Sequence, residues 1–222
     1  MNTGLPRAPI VILISGRGGN MRAIIEQSRG TASAAAAPYT VSKVFADKPD
    51  APGLKVAREL GVGAEALDAA DFGGREAFDS ALAAAIGECA PSLIALAGFM
   101  RILSAQFVTQ FAGKILNIHP SLLPKFPGLH THRRALEAHE TEHGATVHFV
   151  TEQLDAGPAI IQGRIAVRPD DDEASLAARV QAAEHRIYPL AVHWFCAGRL
   201  RYRDEKAWLD GRVLQQPVQY KG

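Results

Sequence analysis

The chain is poor in cysteine: two among 222 residues, Cys89 and Cys196, far apart and without a CxxC spacing. That excludes a disulfide framework and cysteine-based zinc or redox motifs, and it suits free thiols in a reducing compartment. Long apolar runs are absent too. The run at the N-terminus reaches only from Pro9 to Ile14 before Gly16 and Arg17 follow. This is too short for a secretory signal and far too short to cross a bilayer, so cytoplasm is the expected compartment. Charge of one sign is lacking: 24 Lys and Arg face 23 Asp and Glu, for a net charge of +1. No electrostatic case for a nucleic-acid or membrane partner follows. No GxSxG occurs and Ser121 has no recognisable base, which argues against a serine nucleophile.

What is present is ordinary soluble composition, 47% hydrophobic and 21% charged, in a length that suits one domain over residues 1–222. Apolar runs alternate with helical periodicity. Strands are expected at 9–15, 40–46, 92–98 and 114–119, with helices over "GNMRAIIEQS", "APGLKVARELG", 74–88 and "SAQFVTQFAG", where Ser104 is the N-cap. Such alternation implies parallel strand–helix–strand units with right-handed crossovers. After His143 the pattern changes. Two strands, 144–150 and 159–167, flank "TEQLDAGP" as a long-looped hairpin. A long helix follows, with Leu176, Val180 and Ile187 inward and Pro189 expected to kink or interrupt it. The tail reads as a short strand or hairpin and then a frayed end. "TASAAAAPYT" (31–40) lengthens one connection. The fold class is α/β: a Rossmann-like open, mostly parallel twisted sheet with helices on both faces and an antiparallel C-terminal addition.

In such sheets ligands bind at the carboxyl ends of the strands. "SGRGGN", "AGFMRI" and "NIHPS" all fall there. Gly16, Gly18 and Gly19 let backbone N–H groups face an anion at a helix N-terminus, and the Asn20 amide at the rim favours phosphate over the alternative, a tight turn without a ligand. The dinucleotide fingerprint fails because Met21 takes the third glycine position, and no P-loop lysine is present. Asn117 and His119 are two apart on an extended strand and so share one side. An amide donor with an imidazolium suits an acyl-transfer oxyanion, although loop hydrogen bonding explains such a pair as well. Pro120, Pro124 and Pro127 stiffen the segment after His119. Asp155, folded onto His119, would keep the imidazole charged; otherwise it is a turn aspartate. His130 and His132 lack the surrounding ligands of a metal site. His148 lines the cleft or is a satisfied strand histidine. Gln181 and Glu184 share a helix face, and that face is either solvated or turned to a ligand. Arg75 and Arg101 pair with a ligand carboxylate or cap helices.

Taken together, "SGRGGN", "AGFMRILS", "NIHPSLLPKFPG" and "LDAGP" resemble the folate-dependent formyltransferases. "HTHRRALEAHETEHGATVHFV" and "RVQAAEHRIYPL" resemble the branch that formylates glycinamide ribonucleotide, over about residues 9 to 210. The resemblance implies a single formyltransferase domain, with a phosphate-binding half at about 8–110, a folate and catalytic half at about 111–210, and a tail at 211–222. It implies formyl transfer from 10-formyltetrahydrofolate to the glycinamide amine in purine synthesis, by a monomer or homodimer and without a metal. Its catalytic residues fall on Asn117, His119 and Asp155. Its ribonucleotide site falls on Gly18, Gly19, Asn20, Gln181 and Glu184. Its folate site falls on Arg75, Met100, Arg101, Ile102, Leu103 and Asn117. The chain is expected to lack both the C-terminal domain of methionyl-tRNA formyltransferases and the N-terminal domain of formyltetrahydrofolate hydrolases. The family often has serine where this chain has Gly19, so a hydroxyl toward the phosphate is missing. Another formylfolate enzyme, hydrolase or sugar-amine formyltransferase, and a noncatalytic nucleotide-binding module are the alternatives.

Overall fold

The computed structural model describes residues 7–30 and 37–220. Strand β1 (Ala8–Ile14) lies inside an eight-stranded sheet. Its side chains alternate between two cores: Ile10, Ile12 and Ile14 enter one, Val11 and Leu13 the other, all without exposure. A strand covered on both faces shows no polar side, which is why it reads as an unbroken apolar run. To one side lie α1 (Gly19–Arg29), β2 (Tyr39–Ala46), α2 (Pro52–Glu59) and β3 (Ala64–Ala66), with β1–β2 and β2–β3 parallel. To the other lie α3 (Arg75–Glu88), β4 (Leu93–Leu96), α4 (Ala105–Gln110) and β5 (Ile115–His119), again parallel. Helices α1 and α2 cover the first core, α3 and α4 the second.

Direction then reverses. Helix α5 (Thr131–Glu137) leads into β6 (Glu142–Phe149), antiparallel to β5, and β7 (Ala159–Ala166) runs antiparallel to β6. Helix α6 (Glu173–Cys196) returns over the first face and packs on α1. A small antiparallel sheet of β8 (Leu200–Arg203), β9 (Lys206–Leu209) and β10 (Arg212–Val213) follows. Strand β11 (Val218–Tyr220) completes the order β11-β7-β6-β5-β4-β1-β2-β3. The parallel core and antiparallel addition match the expected class. No described helix is long and apolar enough to cross a membrane.

Two expectations are corrected. Pro189 does not interrupt α6, which runs unbroken from Glu173 to Cys196. The proline removes one donor, but Ile187, Tyr188, Ala191 and Val192 around it are buried without exposure. The Tyr188 hydroxyl also lies 3.0 and 2.9 Å from the Leu96 and Leu116 carbonyls, to which it donates. Packing on both sides of Pro189 outweighs one lost backbone bond. The tail does not simply fray. Val218–Tyr220 pairs in parallel with β7, and Arg164 Nε donates to Gln219 Oε1 at 2.6 Å. The open edge of β7 supplies the ladder that three residues could not form alone. Strand β3 and helix α5 are additions to the expected elements, and residues 31–36 of the Ala-rich segment lie outside the described residues.

Candidate active site

Leu116 and Ile118 of β5 enter the first core, while Ile115 enters the second. Asn117 and His119 therefore continue the side of Ile115, at the carboxyl end of the strand. Antiparallel pairing with β6 sets His148 opposite Asn117 and Thr146 opposite His119. Directly opposed residues share a face, so four polar side chains meet there. Asn117 Nδ2 lies 3.2 Å from His148 Nε2, and His148 Nδ1 lies 2.9 Å from the Phe149 carbonyl. Burial pushes His148 down to about 4, against the opposing pull of its Phe149 bond and Asp155. A neutral ring whose only proton goes from Nδ1 to Phe149 must accept at Nε2. It takes one Asn117 hydrogen and leaves the other for a ligand.

The segment after His119 is tied down by buried polar atoms. Thr146 Oγ1 donates to the Ser121 carbonyl at 2.7 Å and accepts from the Leu123 N–H at 3.0 Å and Gln162 Nε2 at 3.1 Å. Gln162 Nε2 also donates to the Leu123 carbonyl at 2.9 Å. Gln162 stands opposite Thr146 on β7, so the sheet itself carries the loop's anchor. Leu123–Pro124 is a cis peptide. The loop ends near Phe126, in a left-handed conformation at φ 54°, whose carbonyl lies 2.9 Å from His119 Nε2.

Asp155 reaches this pair. Its Oδ2 lies 3.4 Å from His119 Nδ1 and accepts the Gly128 N–H at 2.8 Å, while Oδ1 lies 3.8 Å from His148 Nε2. Each nitrogen of His119 thus faces an oxygen acceptor. Asp155 sits at φ 51°, a left-handed conformation that aspartate tolerates better than most residues. Its side chain is nearly buried, like that of His119. The turn reading of Asp155 and its contact with His119 are both realised.

The glycine turn opens α1. Gly18 is its N-cap at φ 77°, no side chain caps it, and no acidic residue lies in the first turn. A side chain at Gly18 would meet Met21 Cε at 2.8 Å and Gly53 Cα at 3.2 Å, so the close approach of backbones demands glycine. The N–H groups of a first helical turn have no intrahelical partner, and the positive end of the helix lies behind them. Across from them, Asn20 Nδ2 donates to Glu184 Oε2 at 2.7 Å. Burial raises the Glu184 carboxyl above its ordinary range, and the Asn20 bond offsets part of that. Asn20 Oδ1 is buried without a partner. Gln181 is exposed on the same helix face, its amide near Gly19. Gly18, Gly19, Asn20, Gln181 and Glu184 are therefore brought together.

The same rim holds the third loop. The Met100 N–H donates to Ser15 Oγ at 2.8 Å, and the Ser15 N–H donates to the Gly98 carbonyl at 3.0 Å. Arg101 lies over the Phe78 ring at 4.7 Å, and Ser104 N–H donates to buried Asp79 at 2.5 Å. Ser104 caps α4 as expected. Arg75 is exposed at the first turn of α3, one turn before Phe78, and contacts Glu76 at 3.6 Å. Met100, Ile102, Leu129 and Leu154 are exposed large apolar side chains, at 52–70%. All four lie on the loops around Asn117 and His119. Exposed apolar side chains on these loops suit contact with an apolar part of a ligand.

Other residues find different uses. Ser121 is fully buried and donates to the Lys125 carbonyl at 2.6 Å. His132 pairs with His143, not His130, at 3.2 Å; burial and His132 push His143 down to about 4. Among the described residues no three His, Cys, Asp or Glu side chains converge as a metal site would require. Thr146 and Gln162, which anchor the loop after His119, are positions that local sequence pattern does not single out. Their only signal is their alternation along strands whose pairing with β5 must be known first.

An amide donor, an imidazole and a carboxylate at the switch from parallel to antiparallel strands define an acyl-transfer site in a doubly wound fold. A glycine turn at a helix N-terminus stands on one flank and exposed apolar loop residues on the other. The sequence model of the family described as formyl transferase matches residues 8–192, and the chain belongs to that family. A phosphoribosylglycinamide formyltransferase of Escherichia coli (strain K12) is 51% identical over 205 residues, covering 92% of this chain and 95% of that protein. The structure of a phosphoribosylglycinamide formyltransferase from Coxiella burnetii is similar at a TM-score of 0.90 and 44% identity, over 97% of this chain and 100% of that one. That of glycinamide ribonucleotide transformylase 1 from Symbiobacterium toebii is similar at 0.87 and 41%, over 94% and 99%.

Proposed function

We propose that this chain transfers the formyl group of 10-formyltetrahydrofolate to the amine of glycinamide ribonucleotide, a step of purine synthesis that yields formylglycinamide ribonucleotide and tetrahydrofolate. The observation that carries the reading is the placement of Asp155 and His119 3.4 Å apart, beside Asn117, on the same rim as the glycine turn. The folate supplies the activated formyl carbon.

Asn117 donates its free amide hydrogen to the oxyanion that develops on the formyl oxygen. His148 holds the other hydrogen, so the donor is aimed before the reaction begins, which is where electrostatic stabilisation is strongest. His119, as an imidazolium, turns its Nε2–H from the Phe126 carbonyl to the reacting centre, where it is a second donor to the oxyanion and gives a proton to the leaving folate nitrogen. Asp155 holds that charge and orders a water that relays the amine proton to His119, replacing the proton given to the folate nitrogen. The Gly18–Asn20 backbone and helix end hold the phosphate, and Gln181 and Glu184 hold the ribose and glycinamide. Arg75 pairs with the folate's carboxylate end. The backbone from Met100 to Leu103, with the apolar rim, holds the pterin.

The test is turnover itself. Purified protein with 10-formyltetrahydrofolate is followed by absorbance with and without glycinamide ribonucleotide, and again with a chelator. Deformylation that requires the ribonucleotide and ignores the chelator is expected. Deformylation without the ribonucleotide would mark a hydrolase instead.

A further inference from the structure

We propose that Arg134 is a positioning residue for the reaction: it holds the Pro127–Gly128 peptide so that Asp155 stays on His119. The inference rests on the roles given to Asp155 and His119 above. Arg134 lies in α5, one helical turn after His130. Its Nη1 donates to the Pro127 carbonyl at 2.6 Å and to the Leu129 carbonyl at 3.3 Å. Its backbone N–H donates to the His130 carbonyl at 3.0 Å. The guanidinium also lies 5.4 Å from the centre of the Phe126 ring. One residue thus touches four of the five residues from Phe126 to His130. Among the described residues Arg134 is in no ion pair, whereas Arg133 beside it pairs with Glu173 at 3.1 Å. The Arg134 charge is directed at loop carbonyls, where a charged donor makes a stronger bond than a neutral one.

The Pro127 carbonyl and the Gly128 N–H belong to one planar peptide. That N–H donates to Asp155 Oδ2 at 2.8 Å, and the same oxygen lies 3.4 Å from His119 Nδ1. Arg134 and Asp155 therefore grip opposite edges of one rigid unit. Side-chain sterics do not hold it. Gly128 sits at φ 76°, and a methyl group built on it would meet nothing within 4 Å. Glycine reaches many backbone conformations, so the peptide is free to turn over unless its two bonds prevent it. Phe126 and His130 flank it in left-handed conformations at φ 54° and 57°, which such residues keep only when their surroundings fix them. A charged donor on the carbonyl also polarises the peptide and strengthens its N–H as a donor to the carboxylate. A turned peptide would take the backbone donor from Asp155 and untie its loop from the loop after β5. His119 would then lose its fixed neighbour. Arg134 acts on the catalytic pair through this peptide and not by touching a substrate.

The experiment measures kcat and both KM values for wild type, Arg134→Ala, Arg134→Met, Arg134→Lys and Arg133→Ala, and for Arg134→Ala in an Asp155→Ala background. Arg134→Ala is expected to lower kcat about 10-fold while the ribonucleotide KM stays within about twofold. Arg134→Met keeps an apolar stem beside Phe126 but has no donor, so it should lose as much. Arg134→Lys keeps a charged donor and should recover part of the loss. Arg133→Ala removes only a surface ion pair and should match wild type. With Asp155 replaced by alanine, Arg134 has nothing left to position. Its removal there should cost less than about twofold, a coupling that a double-mutant cycle reads directly. Hydrogen exchange at the Gly128 amide reads the same bond without turnover, and it should quicken in Arg134→Ala and Arg134→Met. A kcat within about twofold of wild type in both of these variants would overturn the proposal. So would an undiminished loss in the Asp155→Ala background, or unchanged exchange at Gly128. Should Arg134→Ala misfold, Arg134→Met and Arg134→Lys carry the test. Wild type without ribonucleotide-dependent transfer would defeat the functional reading, while exchange at Gly128 would still decide whether Arg134 holds the peptide.

Discussion

Asp155 Oδ2 lies 3.4 Å from His119 Nδ1 while it accepts the Gly128 N–H at 2.8 Å. One carboxylate thus joins the loop between β6 and β7 to the loop after β5, and the loops hold each other in place. A donor aimed in advance needs no reorganisation during the reaction. Rigidity here comes from cross-loop bonds and from the Thr146–Gln162 anchor beneath, as much as from the prolines.

The bond between Asn117 and His148 gives a graded prediction. His148→Leu should remove the orienting acceptor while leaving the Asn117 amide present. Turnover should fall about 10-fold, less than the ~10²–10³ expected for Asn117→Ala. Steady-state kcat for both variants checks this. Equal losses, or none in His148→Leu, would contradict the positioning role.

Gly157 sits in the Asp155 loop with no room for a side chain. A methyl group there would stand 1.9 Å from the Phe149 carbonyl oxygen. Gly157→Ala should therefore shift the loop that carries Asp155 and lower kcat at least ~10-fold, since small misplacements at a reacting centre are costly. Gly87→Ala, in α3 with nothing near the added methyl, serves as control and should be neutral or slightly stabilising. Wild-type kcat in Gly157→Ala would show that the loop tolerates the shift.

Acid should destabilise the fold earlier than carboxylates alone would dictate. His143 and His148 have folded pKa values of about 4, against 6.5 when unperturbed. Between those values the unfolded chain binds more protons than the native one, so stability falls as pH falls. The contribution is fully present above pH 6.5 and is lost as pH drops toward 4. Melting temperatures compared from about neutral pH down to about pH 5 should decline through this window, and His143→Gln should flatten the decline. A melting temperature that stays level or rises across the same window would refute the buried neutral histidines.

Much of this was legible in the sequence, for identifiable reasons. The buried strands announced themselves because both faces are apolar, and the glycine turn because Gly18 must take a left-handed conformation. Asn117 and His119 share a side by strand geometry alone. The Asp155 contact was not legible, because it depends on two loops meeting. Thr146 and Gln162 needed the β5–β6–β7 register, as did the choice between the two readings of His148, and local pattern does not carry that register. Pro189 does not end α6, because the packing around it outweighs the one backbone bond it removes.

The most direct measurement is formyl transfer at saturating ribonucleotide by His119→Ala and Asp155→Asn, with folding checked by circular dichroism. Each should lose at least ~100-fold in kcat with an unchanged spectrum. Near wild-type turnover in either variant would contradict the roles assigned to this pair.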